Sequence, residues 1–574
     1  MKKSIWLFAT LLLCTTINAQ NYRLAWGDEM KLKKGSTDMD VIAADNSGVY
    51  FTESHLRMKS YFVIGATYGN VQKLVKFDKS FNPVFEKDYK RELKDYAFHS
   101  FQPIGNDLFL FATDYIKKER TFKVYGVKIN KTTGEFSGEL AELGSYVQEG
   151  KRDDHQLKVS LANGGKNFLL VTDLSGKDHS SIGIEFLDNQ LRKKESAVIH
   201  LTYAPGRYSL QDVKFTANQK IVLLGKEMEE EQVGRKKKKK IIFKQYNLAI
   251  YNSAGKKEKD VRLDAGDRFV IGGKLIEQPD NDLLLAGFYS NDAAKNDLNG
   301  FFINRLQMST GELAVSSFKP ITPDMLGQVT EDNGADEDED EKKERRNKKA
   351  KDEDDEGEEF PNDFTIRTVD VNPADGSYIL TAEISKLNVY TYTSMRTVNG
   401  RTTTTWTTVY TYSNNDILVV NADKEGKIKW LNAVPKAQRE VIRTSNSGGP
   451  GISFQTSYFH DGGGMPYYSS YNTMVGNNKL VLLLNDHEEN ADVAEWGKKV
   501  KLIYNFKKRS SVYGVSIDLA SGKMARKLIT PNSADLILMP RHSYVVANEF
   551  VIPSMRPKML GRTELKMAKV TVRP

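Results

Sequence analysis

The chain has 574 residues, of which 83 are Lys or Arg and 75 are Asp or Glu, for a formal net charge of +8. Its single cysteine, Cys14, excludes disulfides, thiolate metal sites and a cysteine nucleophile from the rest of the chain. A chain of this length can bury an ample core without disulfides. Abundant Tyr, Phe, Thr and Val favour β structure.

The first twenty residues have the pattern of an export signal. A basic start precedes an apolar stretch over residues 5–13, and the small residue Ala19 stands before a cut near Gln20. That stretch is too short to span a membrane, and no later segment reaches the ~18 apolar residues required. The large Leu13 argues against a lipoprotein cleavage at Cys14. We therefore expect a signal peptide over residues 1–20 and a mature protein that is periplasmic, secreted or on the cell surface.

A turn rich in Asn, Asp and Gly is followed directly by a short apolar run eight times along the chain. The copies are residues 46–51, 106–110, 166–170, 218–223, 281–285, 375–380, 478–482 and 548–552. After each run come a second strand pattern, a polar turn and a more polar strand, which together predict a four-stranded antiparallel unit. Units of this size are typical of propeller blades.

The sequence thus predicts an all-β, single eight-bladed β-propeller over residues 21–574, with seven blades as the alternative. A β-sandwich array or a β-solenoid also fits a repeat, but uneven insertions favour a propeller. The last unit contains only three strands of its own. Residues 22–32 resemble an outer strand without a blade, and pairing with the last unit would close the ring and cover both edges.

Two insertions are strongly charged. Residues 331–359 contain sixteen acidic and seven basic residues, so we expect a disordered segment over 330–360. Its acidic run over 336–341 lacks the spacing of a calcium loop. The second insertion ends in the basic run from Arg235 to Lys240, which either is simply solvated or contacts an anionic surface. Export argues against a nucleic-acid partner.

A long hairpin is predicted over residues 388–413, because Asn399-Gly400 stands between two runs of β-forming residues. We expect it to project from the ring, although a hairpin folded over its own blade fits the pattern equally well. Aromatic residues here and in a Tyr/Gly-rich loop have the composition of contact surfaces. The candidate partner-binding residues are Tyr390, Tyr392, Trp406, Tyr410, Tyr412, Tyr458, Phe459, Tyr467 and Tyr468.

The sequence contains no catalytic signature. It has no Gly-rich phosphate loop, no His-Glu-x-x-His and no Gly-x-Ser-x-Gly. The eight histidines fall singly, although folding can bring some together, and His99 and His155 stand at or just before inner strands. We therefore assign no catalytic, cofactor-binding or metal-binding residue and expect no cofactor.

Residues 422–430, Ala-Asp-Lys-Glu-Gly-Lys-Ile-Lys-Trp, resemble the tryptophan-docking motif of pyrroloquinoline-quinone-type eight-bladed propellers. The resemblance implies that Asp423 caps a turn, Gly426 closes it and Trp430 stacks on the next blade. Three other turns, ending at Gly134, Gly311 and Gly522, keep the pattern without the Trp. The vicinal cysteines found in many such enzymes are absent, so the resemblance points to non-catalytic envelope members of that superfamily and not to the quinone. A calcium-like spacing in the same turn is explained more simply by capping.

Two functional hypotheses follow. In the first, an exported, non-enzymatic propeller binds an envelope protein or glycan, with aromatic loops on one face and no acid–base groups converging in the channel. In the second, the protein is a polysaccharide hydrolase or lyase, with carboxylates and a His or Arg within ~10 Å at the channel mouth. The fold alone cannot decide between them.

Overall fold

The computed structural model describes most of the chain. The described residues are 22–32, 36–61, 65–147, 156–161, 166–174, 180–203, 206–233, 238–263, 265–266, 268–278, 280–291, 299–321, 363–398, 401–446, 466–493, 500–532, 536–556 and 564–573. The predicted signal peptide and the charged segment over 330–360 therefore lie outside the described residues.

The described residues form eight antiparallel sheets, each built on four consecutive strands. Blades one to four comprise β2 Ser36–Asp45, β3 Gly48–Tyr61, β4 Gly65–Phe77, β5 Pro83–Asp88; β6 Ala97–Ile104, β7 Asp107–Ile116, β8 Thr121–Ile129, β9 Ala141–Val147; β10 Gln156–Leu161, β11 Asn167–Asp173, β12 Ser180–Asp188, β13 Lys193–Leu201; and β14 Tyr208–Phe215, β15 Ile221–Val233, β16 Lys238–Tyr251, β17 Lys257–Leu263.

Blades five to seven repeat this order, and blade eight closes the ring. Their strands are β18 Phe269–Glu277, β19 Leu283–Ser290, β20 Gly300–Gln307, β21 Glu312–Pro320; β22 Asp363–Val371, β23 Tyr378–Val398, β24 Arg401–Ala422, β25 Ile428–Val434, β26 Gln438–Asn446; β27 Tyr471–Gly476, β28 Lys479–His487, β29 Ser510–Asp518, β30 Met524–Pro531; and β31 Ile537–Leu538, β32 Tyr544–Val546, β33 Glu549–Arg556, β34 Glu564–Val572, with β1 Tyr22–Lys31. The first strands of most successive blades contact one another, so they surround the central channel.

Ring closure follows the prediction from the sequence. The N-terminal strand β1 pairs with the last strand, β34, from Tyr22 opposite Val572 to Lys31 opposite Glu564. The strand thus becomes the outermost strand of blade eight and covers an edge that would otherwise be open. The eight sheets confirm an eight-bladed propeller and exclude the seven-bladed alternative.

The apolar runs are continuous because the second strand of each blade is buried on both faces. Successive side chains of β15 point to opposite sides of the blade. Val222 and Leu224 belong to the core shared with blade five, whereas Ile221 and Leu223 belong to the core shared with blade three. Eight such clusters fill the eight seams between blades.

In several blades, the turn between the third and fourth strands packs against the preceding blade. In blade seven this turn contains Gly522, whose φ is +73°, and a Cβ placed there would lie 3.1 Å from the Trp430 ring of blade six. The Trp430 indole donates to the Leu519 carbonyl of the same turn at 2.9 Å. Phe85 packs against Gly134 in the corresponding way. The docking position recurs, but only one copy uses a tryptophan.

This contact predicts a specific cost for Gly522→Ala. The substitution places a Cβ at positive φ and pushes it against Trp430, so we expect an unfolding free energy lower by about 2–4 kcal/mol. Gly376 is a matched control, because its φ is +70° but its Cβ would meet nothing within 4 Å. Gly376→Ala should lose only the backbone contribution, about 1 kcal/mol. Urea unfolding checks both, and equal losses would show that the docking contact contributes nothing.

The two faces of the ring are very different. Because every blade repeats the same meander, connections between strands one and two and between strands three and four lie on one face, which we call the turn face. These connections contain two to eleven residues. The other face, which we call the hairpin face, carries the connections between strands two and three and between blades. Three hairpins on this face are longer than the others in the described residues, namely β3–β4, β15–β16 and β23–β24.

Candidate functional site

The longest hairpin belongs to blade six. Strands β23 and β24 pair from Tyr378 opposite Ala422 to Val398 opposite Arg401. The inner strand β22 pairs with β23 only as far as Ser385, so Lys386–Val398 and Arg401–Asn414 continue beyond the blade. We call these two segments the arm. The sequence did not predict β26, which pairs with β24 along the arm from Trp406 to Asn414.

The nine aromatic candidates have very different environments. Tyr390 and Tyr392 are exposed by 43% and 39%, with their rings 6.3 Å apart. Three others are partly buried, namely Trp406, Tyr412 and Tyr467. Tyr410 and Tyr468 are buried. Tyr458 and Phe459 lie outside the described residues.

The arm does not present its aromatic residues on one surface. Tyr390 stands opposite Val409 and Tyr392 opposite Thr407, so these two tyrosines share a face with odd-numbered residues of β24. Trp406, Tyr410 and Tyr412 have even numbers and lie on the other face. Exposure is concentrated near the tip, where all seven residues from Val389 to Met395 are exposed and Met395 is 75% exposed.

The predicted Tyr/Gly-rich loop is anchored at its end by β26. The Glu440 carboxylate accepts three backbone N–H groups, from Tyr467 at 2.8 Å, Tyr468 at 2.9 Å and Ser469 at 2.8 Å. Burial raises the pKa of Glu440, and these N–H groups oppose that increase. The Gln438 amide oxygen accepts a fourth N–H, from Ser470, at 2.7 Å. The segment is therefore fixed in place.

A buried ion pair supports this anchor where the arm leaves the blade. Lys436 Nζ lies 2.6 Å from Glu383 Oε1, and both side chains are fully buried. Arg367 contacts the other Glu383 oxygen at 2.7 Å, and the Ser470 hydroxyl donates to it at 2.7 Å. Burial would raise the pKa of Glu383, but Lys436 and Arg367 outweigh burial and hold it at about 2.

Lys436 is charged in this pair. Burial lowers its pKa, whereas Glu383 opposes that change. Its amine also donates to the Asn414 carbonyl at 2.8 Å and to Gln438 at 3.0 Å. Three acceptors around one nitrogen require an ammonium group with three donors. Glu383 is thus an ionised structural carboxylate without access for a substrate.

An acid–base group links the inner strands of blades eight and one. The 3₁₀ turn Pro540–His542 interrupts the inner strand of blade eight. His542 Nδ1 stands 3.8 Å from Oδ1 of Asp40 on the inner strand of blade one. Burial, followed by Arg541, lowers the pKa of His542 to about 4, and burial raises the pKa of Asp40 to about 7. The Asp40 side chain is 36% exposed, so it still contacts solvent.

The geometry of this group assigns different roles to its members. His542 Nε2 lies 2.8 Å from the Pro466 carbonyl, so neutral His542 carries its proton there and holds the anchored loop. Only 2% of the His542 side chain is exposed, which keeps it away from any substrate. Asp40 can exchange a proton near neutral pH, because burial raises its pKa more than Arg541 and the Val41 N–H lower it.

Polar contacts also link inner strands elsewhere around the channel. Lys158 of blade three lies 2.6 Å from Asp212 of blade four, which accepts the Leu275 N–H of blade five at 3.3 Å. Burial lowers the pKa of the neighbouring Lys214. Thr473 of blade seven donates to Thr368 of blade six at 3.2 Å. These contacts hold blades in register.

The remaining predicted features have structural roles or fall outside the described residues. His99 bonds to Ser100 and to the Leu157 carbonyl, while His155 is not among the described residues. Asp423 caps its turn by accepting the Lys427 N–H at 2.7 Å. Within the described ranges there is no cluster of three potential metal ligands. The same ranges contain no helix long and apolar enough to cross a membrane.

Several residues of the candidate site could not be identified from the sequence. Glu383 and Lys436 are 53 positions apart, and Asp40 and His542 stand near opposite ends of the chain. The strand order of blade six brings the first pair together, and the closed ring brings the second pair together. One local signal did exist, because residues 387–395 contain no charge in an otherwise highly charged chain.

No family model and no curated protein matches this sequence. Among solved structures, the polysaccharide lyase Uly1 is 9% identical and aligns over 96% of this chain and 100% of its own, with a TM-score of 0.35. The β-propeller domain of the Trilobed protease from Pyrococcus furiosus is 9% identical over 82% and 95%, with a TM-score of 0.32. The α-L-arabinanase of Penicillium chrysogenum is 11% identical over 60% and 94%, with a TM-score of 0.27. At these values the fold assignment rests on the sheet topology, and no activity follows.

Proposed function

We propose that this protein is an exported, non-enzymatic β-propeller that binds a protein or glycan partner in the bacterial cell envelope through its hairpin face. The observation that carries the proposal is the asymmetry of the two faces. The turn face has only short connections, whereas the hairpin face carries three long hairpins and the exposed arm tip. Residues 422–430 resemble the tryptophan-docking motif of pyrroloquinoline-quinone-type propellers, and by analogy with the non-catalytic envelope members of that superfamily we propose this location.

The arm and the anchored loop together suit recognition. Tyr390 and Tyr392 offer exposed aromatic surface at little cost in side-chain entropy. The segment Pro466–Ser470 is held by Glu440 and Gln438, so little ordering is required on binding. A fixed base and an exposed aromatic tip are features of a binding surface.

The alternative, a polysaccharide hydrolase or lyase, is favoured by Asp40, whose pKa is raised to about 7 at the channel. Glycoside hydrolysis needs a second carboxylate about 5–10 Å away. The shift of the Asp40 pKa has burial as its main cause, opposed by Arg541, and His542 is engaged with the Pro466 carbonyl. The channel therefore supports the hydrolase or lyase hypothesis less directly than the hairpin face supports the binding hypothesis.

In-cell photocrosslinking tests the proposal. A photoreactive amino acid replaces either Met395 at the arm tip or Lys424 in the turn between β24 and β25 of the same blade. The Lys424 side chain is 68% exposed, so the two probes are both accessible but lie on opposite faces. We expect one abundant adduct from Met395, absent from Lys424, with mass spectrometry naming a protein partner or a glycan mass shift.

A further inference from the structure

A cavity lies between the outermost strands of blades seven and eight. It has a volume of about 220 Å³ and is bordered by six residues, namely Trp26, Thr530, Pro531, Asn532, Leu536 and Lys566. A single water needs only ~10–15 Å³, so the cavity can hold a small molecule. Strand β30 ends at Pro531, where the chain crosses to blade eight, so the cavity lies at the hairpin-face end of this seam.

The register of β1 places an exposed tryptophan at this cavity. Alternate residues of the strand, Tyr22 and Leu24, pack into the core between blades seven and eight. Trp26 is the next residue on the same face, but the register with β34 shifts between Trp26 and Glu29. Such an irregularity bends a strand and re-aims its side chains. Trp26 therefore borders the seam without filling it and is 38% exposed.

An ammonium group and the indole border the same cavity. Lys566 Nζ lies over the Trp26 ring, 5.6 Å from its centroid. The negative face of an aromatic ring attracts cations and polarised C–H groups alike. Glu29 stands opposite Lys566 in the pairing of β1 with β34, so the two charges offset each other and a neutral ligand suits the cavity. A ligand with C–H groups on one face and hydroxyls around its edge matches these groups.

The blade-seven side of the cavity is polar and held in place. The Asn532 amide donates to Asn485 Oδ1 at 2.8 Å and to Ser510 Oγ at 2.7 Å. These bonds use both amide hydrogens, so Asn532 acts as a fixed wall. Thr530 Oγ1 donates to the Pro531 carbonyl at 3.2 Å, and its oxygen can accept a hydrogen bond from a ligand hydroxyl. Because this side is preformed, little ordering opposes binding.

We propose that this cavity binds one pyranose unit of a glycan. The Trp26 indole stacks on a C–H face of the sugar ring, and the Lys566 ammonium donates to sugar oxygens. The Thr530 oxygen accepts from a sugar hydroxyl. An aromatic surface with a few convergent polar groups is the usual composition of small-molecule sites. The inference rests on the proposed function, because it names a glycan contact at the rim of the hairpin face.

A glycan array of neutral and uronic-acid pyranose oligosaccharides tests the site with the mature chain. We expect binding to at least one of these classes, and titration calorimetry with the bound oligosaccharide then measures its affinity. Trp26→Ala should weaken binding about tenfold, because it removes the stacking surface. Tyr115→Ala is the matched control and should leave the affinity unchanged, since Tyr115 is 40% exposed but belongs to β7 of blade two.

A second variant, Lys566→Met, keeps the indole and removes only the ammonium group. It should also weaken sugar binding, and circular dichroism confirms that each variant is folded. A wild-type chain that binds none of the oligosaccharides, or one whose binding is unaffected by both variants, would overturn the proposal. Either outcome would leave the adduct from Met395 on the blade-six arm unchanged, so failure of the cavity is distinguishable from failure of the proposed function.

Discussion

Replacing Glu383 by Gln should lower the free energy of unfolding by about 3–5 kcal/mol, because it leaves the buried Lys436 and the partly buried Arg367 without their anion. Lys436 and Arg367 both contact the Glu383 carboxylate, and Lys436 is fully buried. Lys436→Met should also be destabilising but by less, since Arg367 and Ser470 still contact the buried carboxylate. The double variant Glu383→Gln/Lys436→Met should lose less than the sum of the two single variants.

Urea unfolding with an exposed ion pair as control measures this effect. Lys244 and Glu229 lie 2.7 Å apart, like the buried pair, but are about half exposed. Glu229→Gln should therefore change stability by no more than about 1 kcal/mol. Additive losses in the double variant, or equal losses at the buried and exposed pairs, would contradict a special role for burial.

The same carboxylate gives a pH dependence. The pKa of Glu383 falls from 4.5 to about 2 on folding, so the folded state binds its proton less readily than the unfolded state. The stability that Glu383 contributes is present above pH ~4.5 and is lost as the pH falls toward 2. Acid unfolding of wild type should thus be steeper between these values than that of Glu383→Gln.

Deleting residues 22–31 should cost at least about 5 kcal/mol, a large part of the stability of a typical domain. The deletion removes the backbone pairing of β1 with β34 and the buried side chains of Tyr22 and Met30. It also removes the ring contact of Tyr22 with Gly514 of blade seven. The exposed edge of β34 should promote aggregation as well.

Thermal and urea unfolding of the truncated and full mature chains check this result. Arg23→Ala is the control, because Arg23 is an exposed residue of the same strand, and it should change stability by no more than about 0.5 kcal/mol. A truncated chain with an unchanged transition would show that the ring is stable without its closing strand.

Much of this fold was predictable because a blade is a local unit. Each turn and the apolar run after it lie within a few residues, and the run is apolar throughout because both of its faces are buried, as Ile221 to Leu224 illustrate. Ring closure was predictable because the last unit lacks a fourth strand. The strand β26 was not, since Gln438-Arg439-Glu440 reads as a polar loop and pairs only because the arm offers an edge.

The candidate site was less predictable, because exposure depends on register. The sequence places five aromatic residues in the arm, but only the pairing of Tyr390 with Val409 puts Tyr390 and Tyr392 on one face and Tyr410 on the other. Tyr468 reads as a loop residue, yet it packs 5.8 Å from Phe506 in the core between blades eight and one. Long-range packing of this kind leaves no periodic trace in the sequence.

The central claim is that the partner binds the hairpin face of the ring. Crosslinking from Met395 and Lys424, each in the same type of cell, tests this claim most directly. Our account predicts a single abundant adduct from Met395 and none from Lys424. Equal adducts from both positions would mean that the hairpin face is not selective. An adduct from Lys424 alone would place the partner on the turn face and contradict the account.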